Sequence, residues 1–116
     1  MKTLFLCSLL LLSSFSIFSR PQIQKLSCFR IQDDTEIRQT PSFNSEPKYQ
    51  SLNHESGLVV RVLEIGKSDI FENQKGKWLY VLLTSPTWVK SGEFLERYEK
   101  YWIFLKDETE IFDFEE

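Results

Sequence analysis

Between residues 57 and 95 the apolar positions come in short runs of β-branched and aromatic residues separated by turn formers, the pattern of a meander of strands. Residues 58–65 (LVVRVLEI) are apolar with Arg61 and Glu64 interrupting, which fits a strand with one solvated face. Residues 77–84 (KWLYVLLT) carry the strongest strand pattern, and residues 87–89 (TWV) form a shorter run after Ser85-Pro86. The polar stretch 67–77 reads as a charged hairpin connection. Upstream, residues 28–31 (CFRI) alternate as a first strand, and Pro41 and Pro47 mark a loop, since each removes a backbone donor and restrains its predecessor. Downstream, Phe94, Leu95, Tyr98, Tyr101, Trp102 and Leu105 recur at helical spacing, while residues 101–105 (YWIFL) are also β-prone. The balance predicts one turn of helix at residues 92–95 and a strand over 101–105. The acidic tail 107–116 either frays or adds an edge strand.

The apolar run at residues 4–18 has a different character. It follows a single Lys2, is interrupted only by Ser8, Ser13, Ser14 and Ser16, and ends in small residues. That is the layout of a secretory leader, with cleavage after Ser16 or Ser19, and it is too short and too serine-rich for a membrane anchor. The expected product is periplasmic or secreted, with no membrane span once the leader is cut. Removing residues 1–19 takes Lys2 away and makes the net charge of −3 one unit more negative. A mildly acidic chain with no basic cluster argues against nucleic acid as a partner. Of the two cysteines, Cys7 leaves with the leader, so the mature chain has no internal disulfide. Cys28 follows Leu26-Ser27 but is separated from the apolar run by the polar residues 20–25. A buried small hydrophobe at Cys28 is therefore favoured over a lipidated cysteine.

Candidate chemistry is sparse. His54 is the only histidine and stands in a polar turn (NHES) without a cysteine or second histidine near it, so a solvated side chain is expected. The pairs Asp33-Asp34 and Glu115-Glu116 sit in a loop and a tail, where burial to raise a carboxyl pKa is hard to arrange. No phosphate loop, nucleophile elbow or metal-ligand spacing is present, and the chain is expected to use no cofactor, to bind no metal and not to be an enzyme. The aromatics carry more interest. Trp78 and Tyr80 share one face of their strand, with Leu79 and Val81 on the other. Either Leu79 and Val81 take the core and leave an exposed aromatic shelf, or Trp78 and Tyr80 are themselves the core pair. Trp88, Phe94 and Leu95 read as core.

In order along the chain, Ile37-Arg38 with Pro41-Ser42 and Ser45, residues 57–64 (GLVVRVLE), residues 77–81 (KWLYV) and residues 88–95 (WVKSGEFL) resemble the bacterial Src-homology-3-like (SH3-like) domains of secreted and envelope proteins. Thr87 stands where that family has a glycine before the tryptophan. The resemblance implies an all-β fold: a small five-stranded, SH3-like, partly open barrel over residues 36–96. Residues 1–19 are then a signal peptide, 20–35 a lead-in and 97–116 a C-terminal extension of strand plus acidic tail. It also implies a non-catalytic binding module of the bacterial cell envelope, contacting cell-wall peptide or a protein partner. By position Trp78 is most like the family's groove tryptophan, with Tyr80, Tyr49 and Trp88 as ligand-binding neighbours. The alternative is a structural subunit of a periplasmic or secreted assembly, packing through the aromatic residues 98–114.

Overall fold

Nine strands account for the regular structure in a computed structural model, which describes residues 23–52 and 57–113. They are β1 (Cys28–Ile31), β2 (Glu36–Arg38), β3 (Tyr49–Gln50), β4 (Leu58–Phe71), β5 (Gln74–Leu83), β6 (Thr87–Trp88), β7 (Phe94–Leu95), β8 (Lys100–Lys106) and β9 (Ile111–Asp113). The described chain is all-β and contains no helix. Seven strands form one antiparallel sheet in the order β3-β2-β8-β5-β4-β1-β9, and β6 pairs with β7 in a separate two-stranded piece. The predicted leader, His54 and the last three residues lie outside the described residues.

Three expectations change. The five-stranded barrel gives way to a seven-stranded sheet that ends at β3 and β9 and does not close. Strand β8, expected in an extension beyond the barrel, lies between β2 and β5, paired to β5 along its whole length and to β2 over Trp102, Ile103 and Phe104. The helical turn expected at residues 92–95 is instead the return arm of the β6–β7 hairpin. Gly92, at φ +90°, makes that reversal, a conformation open to glycine and costly for other residues.

The β4–β5 hairpin shows why composition misled the reading of residues 67–77. Strand β4 runs through the charged stretch to Phe71, and the reversal takes only Glu72 and Asn73, both at positive φ. Two left-handed central residues are the signature of a tight turn whose twist matches its strands. Most of the ribbon's side chains are polar and exposed, and Phe71 alone in it turns an aromatic ring onto the outer face, stacked on Phe43. Register shifts between Val62 and Glu64 and between Ile65 and Ser68 bend β4 where it leaves the core.

Alternation within the central strands builds two apolar layers. On one face Leu79, Val81, Leu83, Ile103 and Leu105 join Phe29, Ile31, Ile37, Val60 and Ile111 in a single core cluster. Those residues come from strands near both ends of the sheet, so the sheet curls around them without its edges meeting. Val89 and Leu95 of the excursion between β5 and β8 complete the cluster. On the opposite, outer face, Trp78 packs against Phe104 at 5.5 Å between ring centroids, and Phe43 covers both from the β2–β3 loop. Gly76 permits this packing: a Cβ there would press on the Leu105 carbonyl oxygen and come within 2.7 Å of the Phe104 ring.

Candidate functional site

The β6–β7 hairpin is small, and its alternation sorts residues sharply. Thr87, Val89 and Leu95 turn inward and are buried, while Trp88 and Phe94, directly opposite each other in register, turn outward. Their rings meet at 4.8 Å between centroids with planes tilted by 57°. Trp88 is 54% exposed and Phe94 44%. Both were expected in the core. Val89 and Leu95 occupy the places that the apolar pattern had to offer, and their neighbours in a strand necessarily face the other way.

The hairpin is tied to the sheet from several directions. The Val89 amide donates to the Glu93 carbonyl at 3.1 Å, and that of Gly92 to the Val89 carbonyl at 2.9 Å. The Lys90 amide donates to the Gln50 carbonyl at 2.9 Å, and Ser51 bridges Val89 beyond the end of β3. The Lys90 ammonium pairs with the Asp34 carboxylate, which gives the charge of that loop aspartate a structural use. The aromatic pair therefore sits on a platform held by backbone and side chain.

Tyr49 lies under this excursion rather than on its outer surface. It packs edge-on against Tyr101 at 6.2 Å and rests against the core cluster. A hydrogen bond to the Glu93 carboxylate, reinforced by burial, holds its phenol above the ordinary tyrosine value. Tyr101 is pushed in the same direction, first by burial and then by the 2.8 Å hydrogen bond it donates to Glu99. Both phenols are thus kept protonated as donors to carboxylates of residues 93–99.

Trp78 is wholly buried on the outer face and offers no surface. Its indole Nε1–H donates to Asp69 Oδ2 at 3.1 Å, and this bond, with the Ile70 amide and Lys67, holds the Asp69 carboxyl below the usual aspartate range. Tyr80 is half-buried beside Trp102, 5.2 Å between centroids. The two alternatives for β5 were both incomplete: Leu79 and Val81 take the core, yet Trp78 is buried as well, because Phe43 supplies a second layer. The four residues singled out are therefore not brought together. Trp78 and Tyr80 share the outer face, Tyr49 supports the core side, and Trp88 alone is openly exposed.

Phe94 and Tyr98 were missed as surface aromatics. Tyr98 is 62% exposed at φ +72°, with the Arg97 guanidinium 4.7 Å from its ring centre. The signal for Phe94 was present in TWV-KSG-EFL: a reversal centred on Ser91-Gly92 places Trp88 opposite Phe94. Among the described residues no group of three or more His, Cys, Asp or Glu side chains is arranged to hold a metal ion, and no helix is long and apolar enough to cross a membrane. No family model, no curated protein and no solved structure matches the chain.

Proposed function

We propose that this chain is an exported binding module of the bacterial cell envelope that acts without catalysis and engages a cell-wall peptide or an envelope protein through Trp88 and Phe94. The observation that carries the proposal is the exposure of this stacked pair on a firmly tied hairpin. Leaving an indole and a phenyl ring half in water forgoes about 1–2 kcal/mol of burial for each, and a polar residue at either position would satisfy the same strand geometry. Aromatic side chains with few rotatable bonds are also favoured anchors, because fixing them on binding costs little entropy. The leader-like N-terminus and the resemblance to bacterial Src-homology-3-like domains support the envelope setting.

Sedimentation of the purified chain with isolated cell-wall sacculi, and capture of envelope proteins on the immobilised chain, test the reading. Trp88→Ala together with Phe94→Ala is expected to abolish retention in whichever arm shows it. Retention unchanged by both substitutions refutes the assignment. The alternative of a subunit packing through residues 98–114 draws less support, since Tyr101, Ile103, Phe104, Leu105 and Ile111 are already buried within the chain's own sheet.

A further inference from the structure

The exposed Trp88–Phe94 pair sits in an electrostatic setting that the rings alone do not reveal. The excursion that carries it, residues 84–99, holds two cations, Lys90 and Arg97, and three carboxylates, Glu93, Glu96 and Glu99. Both cations are already engaged: the Lys90 ammonium by Asp34, and the Arg97 guanidinium by the Tyr98 ring, 4.7 Å from its centre. The carboxylates are not cancelled in the same way. Glu93 accepts a hydrogen bond from the Tyr49 phenol, and Glu99 accepts one from Tyr101 at 2.8 Å and one from the Glu96 amide at 2.6 Å. Neutral donors such as these hold a carboxylate in its charged form and leave the charge in place. Glu96, exposed and two residues on from Phe94, has no ion pair among the described residues.

Two aromatic faces tilted by 57° in a field of uncompensated carboxylates attract a cation. Tyr98 shows that attraction satisfied from within the chain, by Arg97. Trp88 and Phe94 have no cation over them among the described residues, and Lys90, two residues from Trp88, is held away by Asp34. The extent of the surface narrows the occupant. A hairpin with two residues in each strand offers far less than the roughly 800 Å² per partner of a stable protein–protein interface, so it suits a short peptide rather than the face of a folded protein.

We propose that Trp88, Phe94 and Glu96 form a subsite for a free side-chain amine of a cell-wall peptide, its methylene stem lying on the two rings and its ammonium turned to the Glu96 carboxylate. A lysine-type side chain matches both halves of the surface: the stem covers apolar area, while the ammonium, a donor with no acceptor of its own, needs the carboxylate. The subsite rests on the binding role proposed above for the same pair, and it selects the wall peptide over an envelope protein as the partner.

The test titrates the full chain with N-acetyl-lysinamide and with N-acetyl-norleucinamide, which has the same stem without the amine, following the Trp88 indole N–H resonance. The lysine probe is expected to bind about threefold or more tightly than the norleucine probe, as a cation over exposed rings does. The margin is expected to shrink at high salt and to be largely removed by Glu96→Gln. Equal binding of the two probes, or binding of neither, overturns the amine subsite. Sacculi with their free amines acetylated separate this result from the broader reading. The native chain is expected to sediment with untreated sacculi and not with acetylated ones. Sedimentation that needs Trp88 and Phe94 yet survives acetylation overturns the subsite and leaves the binding role standing, and so does capture of envelope proteins without any binding to sacculi. Failure to bind either sacculi or envelope proteins overturns both.

Discussion

Trp78 and Trp88 stand in similar local sequence, each in a β-prone run with an aliphatic residue next to it (KWLYV and TWVK), yet one is fully buried and the other is 54% exposed. Each also has an aromatic partner, Phe104 at 5.5 Å for Trp78 and Phe94 at 4.8 Å for Trp88. The difference is the next layer. Strand β5 is central, flanked by β4 and β8, and a loop from far upstream lays Phe43 on its outer face. The β6–β7 hairpin has two strands, its inner face is spent on the core, and no described residue stacks over its outer pair. Strand pattern and side-chain type do not distinguish the two tryptophans; coverage does.

The comparison breaks first under mutation. Trp78→Ala is expected to cost about 3–5 kcal/mol, because it empties a packed site and strands the Phe43 and Phe104 rings. Trp88→Ala is expected to stay within about 1 kcal/mol, as for a surface change. Urea unfolding of both variants checks this, and equal losses would mean that the hairpin pair is as integral to the core as Trp78. Next in size is Gly76→Ala. Its new Cβ meets the Leu105 carbonyl and the Phe104 ring, so a loss of about 1–3 kcal/mol is expected, with no matching effect at the open side of the β6–β7 turn beyond the strain at Gly92.

Titration sharpens the comparison further. The Tyr101 phenol is raised by burial and by Glu99, and Tyr49 by Glu93, so above pH 10 the unfolded chain releases protons that the native state retains. Stability is therefore expected to fall as pH rises beyond 10, and Tyr101→Phe to lessen that fall, as read from unfolding midpoints against pH. The smallest effect belongs to Asp69. Its carboxyl is lowered by the Trp78 indole, so the stabilisation is present above pH 3.8 and is lost as pH falls through the lowered value. Asp69→Asn is expected to remove that acid-side dependence while keeping an acceptor for the indole. An unchanged acid limb of the stability profile would contradict it.

Much of the strand inventory was legible. Residues 28–31 became β1, and the strand expected over 101–105 became β8 with one residue added at each end. The possible edge strand in the acidic tail is β9, seated on β1 with Phe112 under the Arg30 guanidinium. The long ribbon was missed because residues 66–77 are mostly polar and their single aromatic, Phe71, gives no alternating apolar pattern. The helical turn was wrongly expected because Phe94, Leu95 and Tyr98 satisfy helical spacing within a single loop excursion, and spacing carries no information about cross-strand pairing. The candidate site was legible only in part: Trp88 was named as a ligand-binding residue but assigned to the core, and Phe94 was read as a plug.

Alternation of side chains across a pleat is a local property, so the chain's own sequence determined that it is built of strands and which residues share a face. Whether a face meets water or another layer depends on residues remote along the chain, such as Phe43 above Trp78 or β9 beside β1, and that only the tertiary structure decided. Local backbone sterics set the period, whereas burial is a property of whatever arrives from elsewhere to cover it.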